Sequence, residues 1–217
     1  MFDFHQGVSD PDGEYDEGRI DDYSNDLLIA FNASDEAQLL SDRQNWSQLM
    51  LEYGFNHVGV SPAKMTRRDF EEVLFEIFPR KVSTGADQAE SIIAELRAFW
   101  TFAARQFAAR NAATILACLN DRAEERLRTE LSNPANYGMA KSMFMIGSQS
   151  GFDMTSQEGL LAFQMAYNAK LQAGQIDPLP RGGLQVERSS PLTHDQMKQK
   201  RKDKKRQREN KKRNRLR

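Results

Sequence analysis

Residues 87–131 read DQAESIIAELRAFWTFAARQFAARNAATILACLNDRAEERLRTEL, and the spacing of their apolar side chains decides the fold class. Placed at about 100° intervals from Ala89, residues Ile92, Ile93, Leu96, Phe99, Trp100, Ala103 and Phe107 fall in one stripe. Glu90, Ser91, Glu95, Arg97, Thr101 and Arg105 take the other side. The pattern predicts an amphipathic helix, capped by Asp87 with Glu90 as the reciprocal partner of a capping box. After a break at Asn111, a second helix is predicted from Ala112, Ile115, Leu116, Leu119, Ala123, Leu127 and Leu131. Two helices joined by a short link must hide their stripes against each other and against further helices. The expected fold is therefore all-α: a single irregular multi-helix bundle with a flexible acidic N-terminal arm and a basic C-terminal tail.

Upstream, Ser34 reads as an N-cap with Asp35 and Glu36 in the first turn, and Trp46, Leu49, Met50 and Tyr53 follow at helical spacing. Gly54 is placed to end that helix in a left-handed cap. Thr66 with Asp69 opens the next helix, whose inner face is Phe70, Val73, Leu74, Ile77 and Phe78, and Pro79 is expected to stop it. Phe75 and Phe102 lie off their helix stripes, which suits a second packing layer or an interface. Leu27–Phe31 either opens a first helix or packs as a strap.

Downstream, Asn133-Pro134 turns the chain, and 137–149 reads as a methionine-rich helix ended by Gly151. Thr155 with Glu158 is a second capping box. The helix behind it carries Leu160, Phe163, Tyr167 and Leu171, with Leu161 and Met165 widening the apolar arc, as in a helix covered on two sides. Methionine-rich faces fill irregular cores and also serve adaptable binding surfaces.

The phrases FEIFPRKVS (75–83) and ELRAFWTF (95–102), followed by the Asn-Pro turn, resemble bacterial proteins of an uncharacterised family. The resemblance covers about a third of the chain. It implies a helical, cytoplasmic bacterial protein and brings no activity or site residues with it.

The formal net charge of −1 hides a strong asymmetry. Residues 198–217 hold thirteen of the thirty Lys and Arg residues but only two of the thirty-one acids, leaving seventeen basic and twenty-nine acidic residues in 1–197. The expected organisation is an acidic, mostly disordered arm (1–33), a helical domain (34–174), a Pro/Gly linker (175–192) and a highly basic tail (193–217). One cysteine, Cys118, fits a reducing compartment, and the acidic N-terminus lacks the basic and apolar regions of a signal peptide. No apolar run approaches the ~20 residues of a membrane span, so the expected location is the cytoplasm.

Catalytic signatures are not legible. His5, His57 and His194 sit in separate segments, no Glu-x-x-His pair exists, and neither a P-loop nor a Gly-x-Gly-x-x-Gly occurs. Asp10, Asp12, Glu14 and Asp16 alternate as calcium ligands do, but an EF-hand begun at Asp10 puts Tyr15 where glycine is needed and Asp21 where a bidentate Glu belongs. Cys118 sits beside its helix's apolar stripe, as small buried thiols do. The order 137–149, glycine turn, 156–173 is that of a helix-turn-helix, yet its second helix has no cation before Lys170 and has Glu158 in its first turn, against DNA reading. No catalytic, cofactor or metal residue is assigned.

The tail supplies the candidate site: Lys198, Lys200, Arg201, Lys202, Lys204, Lys205, Arg206, Arg208, Lys211, Lys212, Arg213, Arg215 and Arg217. Such a segment neutralises phosphates, and having no aromatic ring it would bind RNA or another polyanion without sequence preference. It lacks the apolar face of a membrane-surface helix. The expectation is a non-catalytic helical protein whose tail contacts RNA or ribonucleoprotein. The alternative is a protein–protein adaptor with a Met- and Phe-rich helical surface and a merely solubilising tail.

Overall fold

In a computed structural model, which describes residues 2–8, 16–42 and 44–175, the 87–131 stretch folds as three helices instead of two. The tail, the linker beyond Gln175 and the Asp10–Glu14 run lie outside the described residues. All regular structure among the described residues is helical: α1 (Glu17–Asn32), α2 (Asp35–Gln38), α3 (Trp46–Tyr53), α4 (Arg67–Glu72), α5 (Phe78–Lys81), α6 (Ala89–Phe107), α7 (Ala112–Leu116), α8 (Asp121–Ser132), α9 (Met139–Gln149) and α10 (Gln157–Gln172). No helix among these residues is long and apolar enough to cross a membrane. The described chain divides into two compact units, residues 2–73 with 90–124 and residues 74–89 with 125–175.

The first unit is built on α6. Ile92, Ile93, Leu96, Phe99, Trp100 and Ala103 are all buried, as the stripe requires. Phe102, off that stripe, is buried too, against Phe31 and Phe107 at ring-centroid distances of 5.7 and 5.4 Å. An unbroken series of ring contacts runs Phe70–Trp100–Phe99–Phe31–Phe102–Phe107 and on to Phe2 and Tyr23. Asp87 does not cap α6; it lies in a 3-10 turn, Ala86–Gln88, that leads into it. The second predicted helix breaks after Leu116. Asn120 re-caps the chain, its Oδ1 accepting from the Ala123 N–H at 3.1 Å, and Arg97 donates to the freed Leu119 carbonyl at 2.7 and 3.1 Å.

The N-terminal residues correct the expectation of a disordered arm through residue 33. Residues 17–32 are α1, capped by Asp16, with Tyr23, Leu27 and Phe31 on its buried face. Residues 2–8 lie as a strap that buries Phe4 and Val8, and the Tyr23 hydroxyl donates to the Phe4 carbonyl at 2.9 Å. Acidic composition is compatible with folding here because the acids Glu17, Asp21, Asp22 and Asp26 all fall on the outer face of α1.

Other local expectations hold or shift by a residue or two. Ser34 caps α2, and Thr66 and Asp69 make the predicted reciprocal box at α4. Gly54 is not a left-handed cap: it continues into a π-helical turn, Gly54–Val58, and Gly59 takes the positive φ of 72°. In the second unit, Pro79 sits inside α5, directly after the π-helical turn Val73–Ile77. A π turn shifts the hydrogen-bond register, which is one way to absorb a residue that has no N–H to give.

In that second unit Gly151 ends α9 in a Schellman turn, with the Phe152 N–H donating to the Gly147 carbonyl at 3.0 Å and the Gly151 N–H to Ser148 at 3.0 Å. Ser156, one residue beyond the predicted Thr155, caps α10. A side chain at Gly147 would collide with Met154, and one at Gly159 with the Asp153 carbonyl, so both glycines permit close approach.

Candidate interaction surfaces

The buried charges are the natural place to look for chemistry, and each one resolved here is committed to a helix end. Glu95 faces solvent in the helical wheel, yet it is 2% exposed. Its carboxylate accepts from the Ser47 N–H and hydroxyl, both at 2.7 Å, and from the Gln44 N–H at 3.2 Å. These are donors at the start of α3, whose own cap position, Asn45, makes no side-chain cap bond. Glu95 is thus an N-cap supplied from another helix. Asp69 is buried within its own capping box.

Lys141, in the first turn of α9, does the converse in the second unit. It is 1% exposed, donates from Nζ to the Pro79 carbonyl at 2.9 Å, and lies 4.3 Å over the Tyr137 ring. The Gly138 N–H meets the Arg80 carbonyl at 2.9 Å, so the last carbonyls of α5 are answered by the start of α9. Burial holds the Lys141 ammonium down to about 8 from its ordinary 10.5. Between those values the unfolded chain keeps a proton that the native chain has lost, so this group makes stability rise with pH. Tyr23 and Tyr53, pushed up by burial, act with the opposite sign in the tyrosine range near 10 and above, and Cys118, also pushed up by burial, does so from the thiol's ordinary 9.0 upward. In urea unfolding from pH 7.5 to 9.5, stability should therefore rise with pH more steeply, or fall less, in wild type than in Lys141→Met; parallel profiles for the two proteins would refute the assignment.

The remaining reactive groups have structural surroundings. Cys118 is buried with Sγ 3.2 Å from the Thr114 carbonyl, and burial pushes its thiol up, with Arg67 opposing. His5 has Nε2 3.3 Å from the Phe107 carbonyl, and His57 lies against the Tyr53 ring at 5.4 Å. Arg105 grips Glu36 through two bonds of 2.7 and 2.9 Å, which holds that carboxyl at about 2. Beside it a groove of about 430 Å³ opens between residues 2–5 and 105–108. Its polar groups are largely engaged: Asp3 accepts from the His5 N–H at 2.8 Å, and Arg105 is held by Glu36. Among the described residues no group of three or more His, Cys, Asp or Glu side chains could hold a metal ion.

Among the described residues a few large apolar side chains lie open to solvent, Ile29 and Leu39 in the first unit among them. Met139, at the start of α9, is exposed, and so are Leu160, Leu161 and Met165 of α10. Helical spacing predicts Leu160 on the inner face of α10, but of its large apolar residues only Phe163 is buried. Phe75, the other off-stripe aromatic, is covered, with the Arg126 guanidinium 3.9 Å over its ring. The thirteen tail cations, Lys198 to Arg217, fall outside the described residues. Compared with protein-family models, with curated proteins and with solved structures, the chain matches none.

Proposed function

We propose that this is a non-catalytic, cytoplasmic, bacterial interaction protein in which an acidic helical body carries a tail that contacts RNA or ribonucleoprotein. One observation carries the reading: thirteen Lys and Arg against two acids in residues 198–217, set against a preceding chain with twelve more acids than bases. Cations at this density displace the counterions condensed on a phosphate backbone, and without aromatic rings they cannot read bases by stacking. The test is fluorescence anisotropy with a labelled single-stranded RNA at several salt concentrations. If roughly six cations engage phosphates, log affinity should fall against log salt with a slope of about −4. Deleting residues 198–217 should abolish binding; a deletion that binds as tightly as the full chain ends the reading.

A second reading, a protein–protein adaptor, is favoured by a different observation: the solvent exposure of Leu160, Leu161 and Met165 on one helix. Scattered exposed leucines are ordinary, whereas Leu161 and Met165 stand one turn apart on a single face, as apolar residues at contact surfaces do.

A further inference from the structure

We infer that the outer face of α10 is a docking site for a single amphipathic helix of another protein. The inference deepens the adaptor reading and rests on it. α10 is apolar on two sides. Inward, Phe163 packs on Phe152 and Tyr167 at 5.6 and 5.8 Å. Outward, Leu161 and Met165 stand at i and i+4, 53% and 74% exposed. A helix with two apolar sides suits burial on both, and here only one is covered.

Size and charge select the occupant. The Leu161 and Met165 side chains present on the order of 200 Å² of apolar surface, well short of the roughly 800 Å² that each partner brings to a stable complex of two folded domains. A second copy is therefore a poor occupant. The stripe from Glu158 to Ala169 is about 16 Å long and one helix wide, and the exposed Ala162 and Ala169 let a second helix axis approach within about 8–10 Å. Among the described residues there is no strand edge for an extended peptide to join. α10 has two charges: Glu158 lies beside the stripe, while Lys170 is on the opposite side by the ~100° repeat. The partner helix accordingly brings apolar residues at i, i+3 or i+4 and i+7, amides along its rim, and a Lys or Arg at the end that meets Glu158.

The test places a photocrosslinking amino acid at Leu161 or Met165 of the full chain in its native cells, with Ile29, Leu39 and Arg128 as positions elsewhere. The crosslinked segment is then sequenced by mass spectrometry. The expected product, from 161 and 165 in preference to the other positions, is a segment of another protein with that apolar spacing and a terminal cation. A synthetic peptide of the segment should bind the full chain at least tenfold more weakly after Met165→Glu. Glu158→Lys should weaken it too, and a peptide whose cation is replaced by Glu should recover the loss. Crosslinks to this chain's own residues, whether from a second copy or from residues 176–217, overturn the proposal. So does Met165→Glu binding like wild type. Protein crosslinks only from 29, 39 or 128 sink this site but leave an adaptor standing; no protein crosslink from any position sinks both.

Discussion

Replacing Trp100 with alanine should leave little cooperatively folded protein. The indole is 0% exposed and joins the rings of Phe70 and Phe99 at 6.2 and 5.6 Å, linking Phe70 to the rest of the ring series in the first unit. Truncating a buried Trp costs about 3–5 kcal/mol, a large part of the ~5–15 kcal/mol that holds a domain together. The Trp100 Nε1 hydrogen has no acceptor in the structure, so no hydrogen bond is lost on its removal. Trp100→Phe should accordingly cost much less than Trp100→Ala, because it keeps most of the ring packing. Thermal melts followed by circular dichroism would check both. An alanine variant that melts with wild type would show that the α6 stripe is not the core.

Deleting residues 1–26 should also be severe, contrary to what their acidity suggests. The deletion removes Phe4, Val8 and Tyr23, all buried, and the hydrogen bond from the Tyr23 hydroxyl to the Phe4 carbonyl. It also strips the cap and more than half of α1, leaving Leu27 and Phe31 on a frayed remnant. Each large apolar side chain withdrawn from burial is worth about 1.5–3 kcal/mol, and at about 2–4 °C per kcal/mol the combined loss should lower the melting temperature by more than ~10 °C. Phe4→Ala should reproduce part of this without shortening the chain. If both proteins melt within a degree or two of wild type, the strap contributes nothing to the fold.

How far these outcomes were legible beforehand follows from the range of the interactions. The helical class, the α6 stripe, the Ser34 cap, the Thr66–Asp69 box and the stop at Gly151 came from the sequence, because each depends on residues within a few positions of one another. Local rules lost wherever a distant group intervened. Glu95 belongs to the wet side of its helix by periodicity, but the start of α3 needs an acceptor, and that need brings the carboxylate inside. Lys141 is an unremarked surface lysine in sequence and a buried donor once the end of α5 meets α9.

The N-terminal segment shows the same division. Its acidity predicts a mostly disordered arm because composition averages over both faces of a helix, whereas burial depends on which face each residue occupies. Tyr23, Leu27 and Phe31 stand four residues apart, so a wheel drawn from Glu17 would have found that face. No wheel would have found the strap, because Phe4 is buried by residues brought from α1 and the end of α6. Charge distribution, including the density of cations in residues 198–217, and helix class are properties of the sequence by itself. Which charges are buried as caps, and which apolar side chains of α10 stay exposed, are decided only by the tertiary structure, because both depend on what the remainder of the chain already covers.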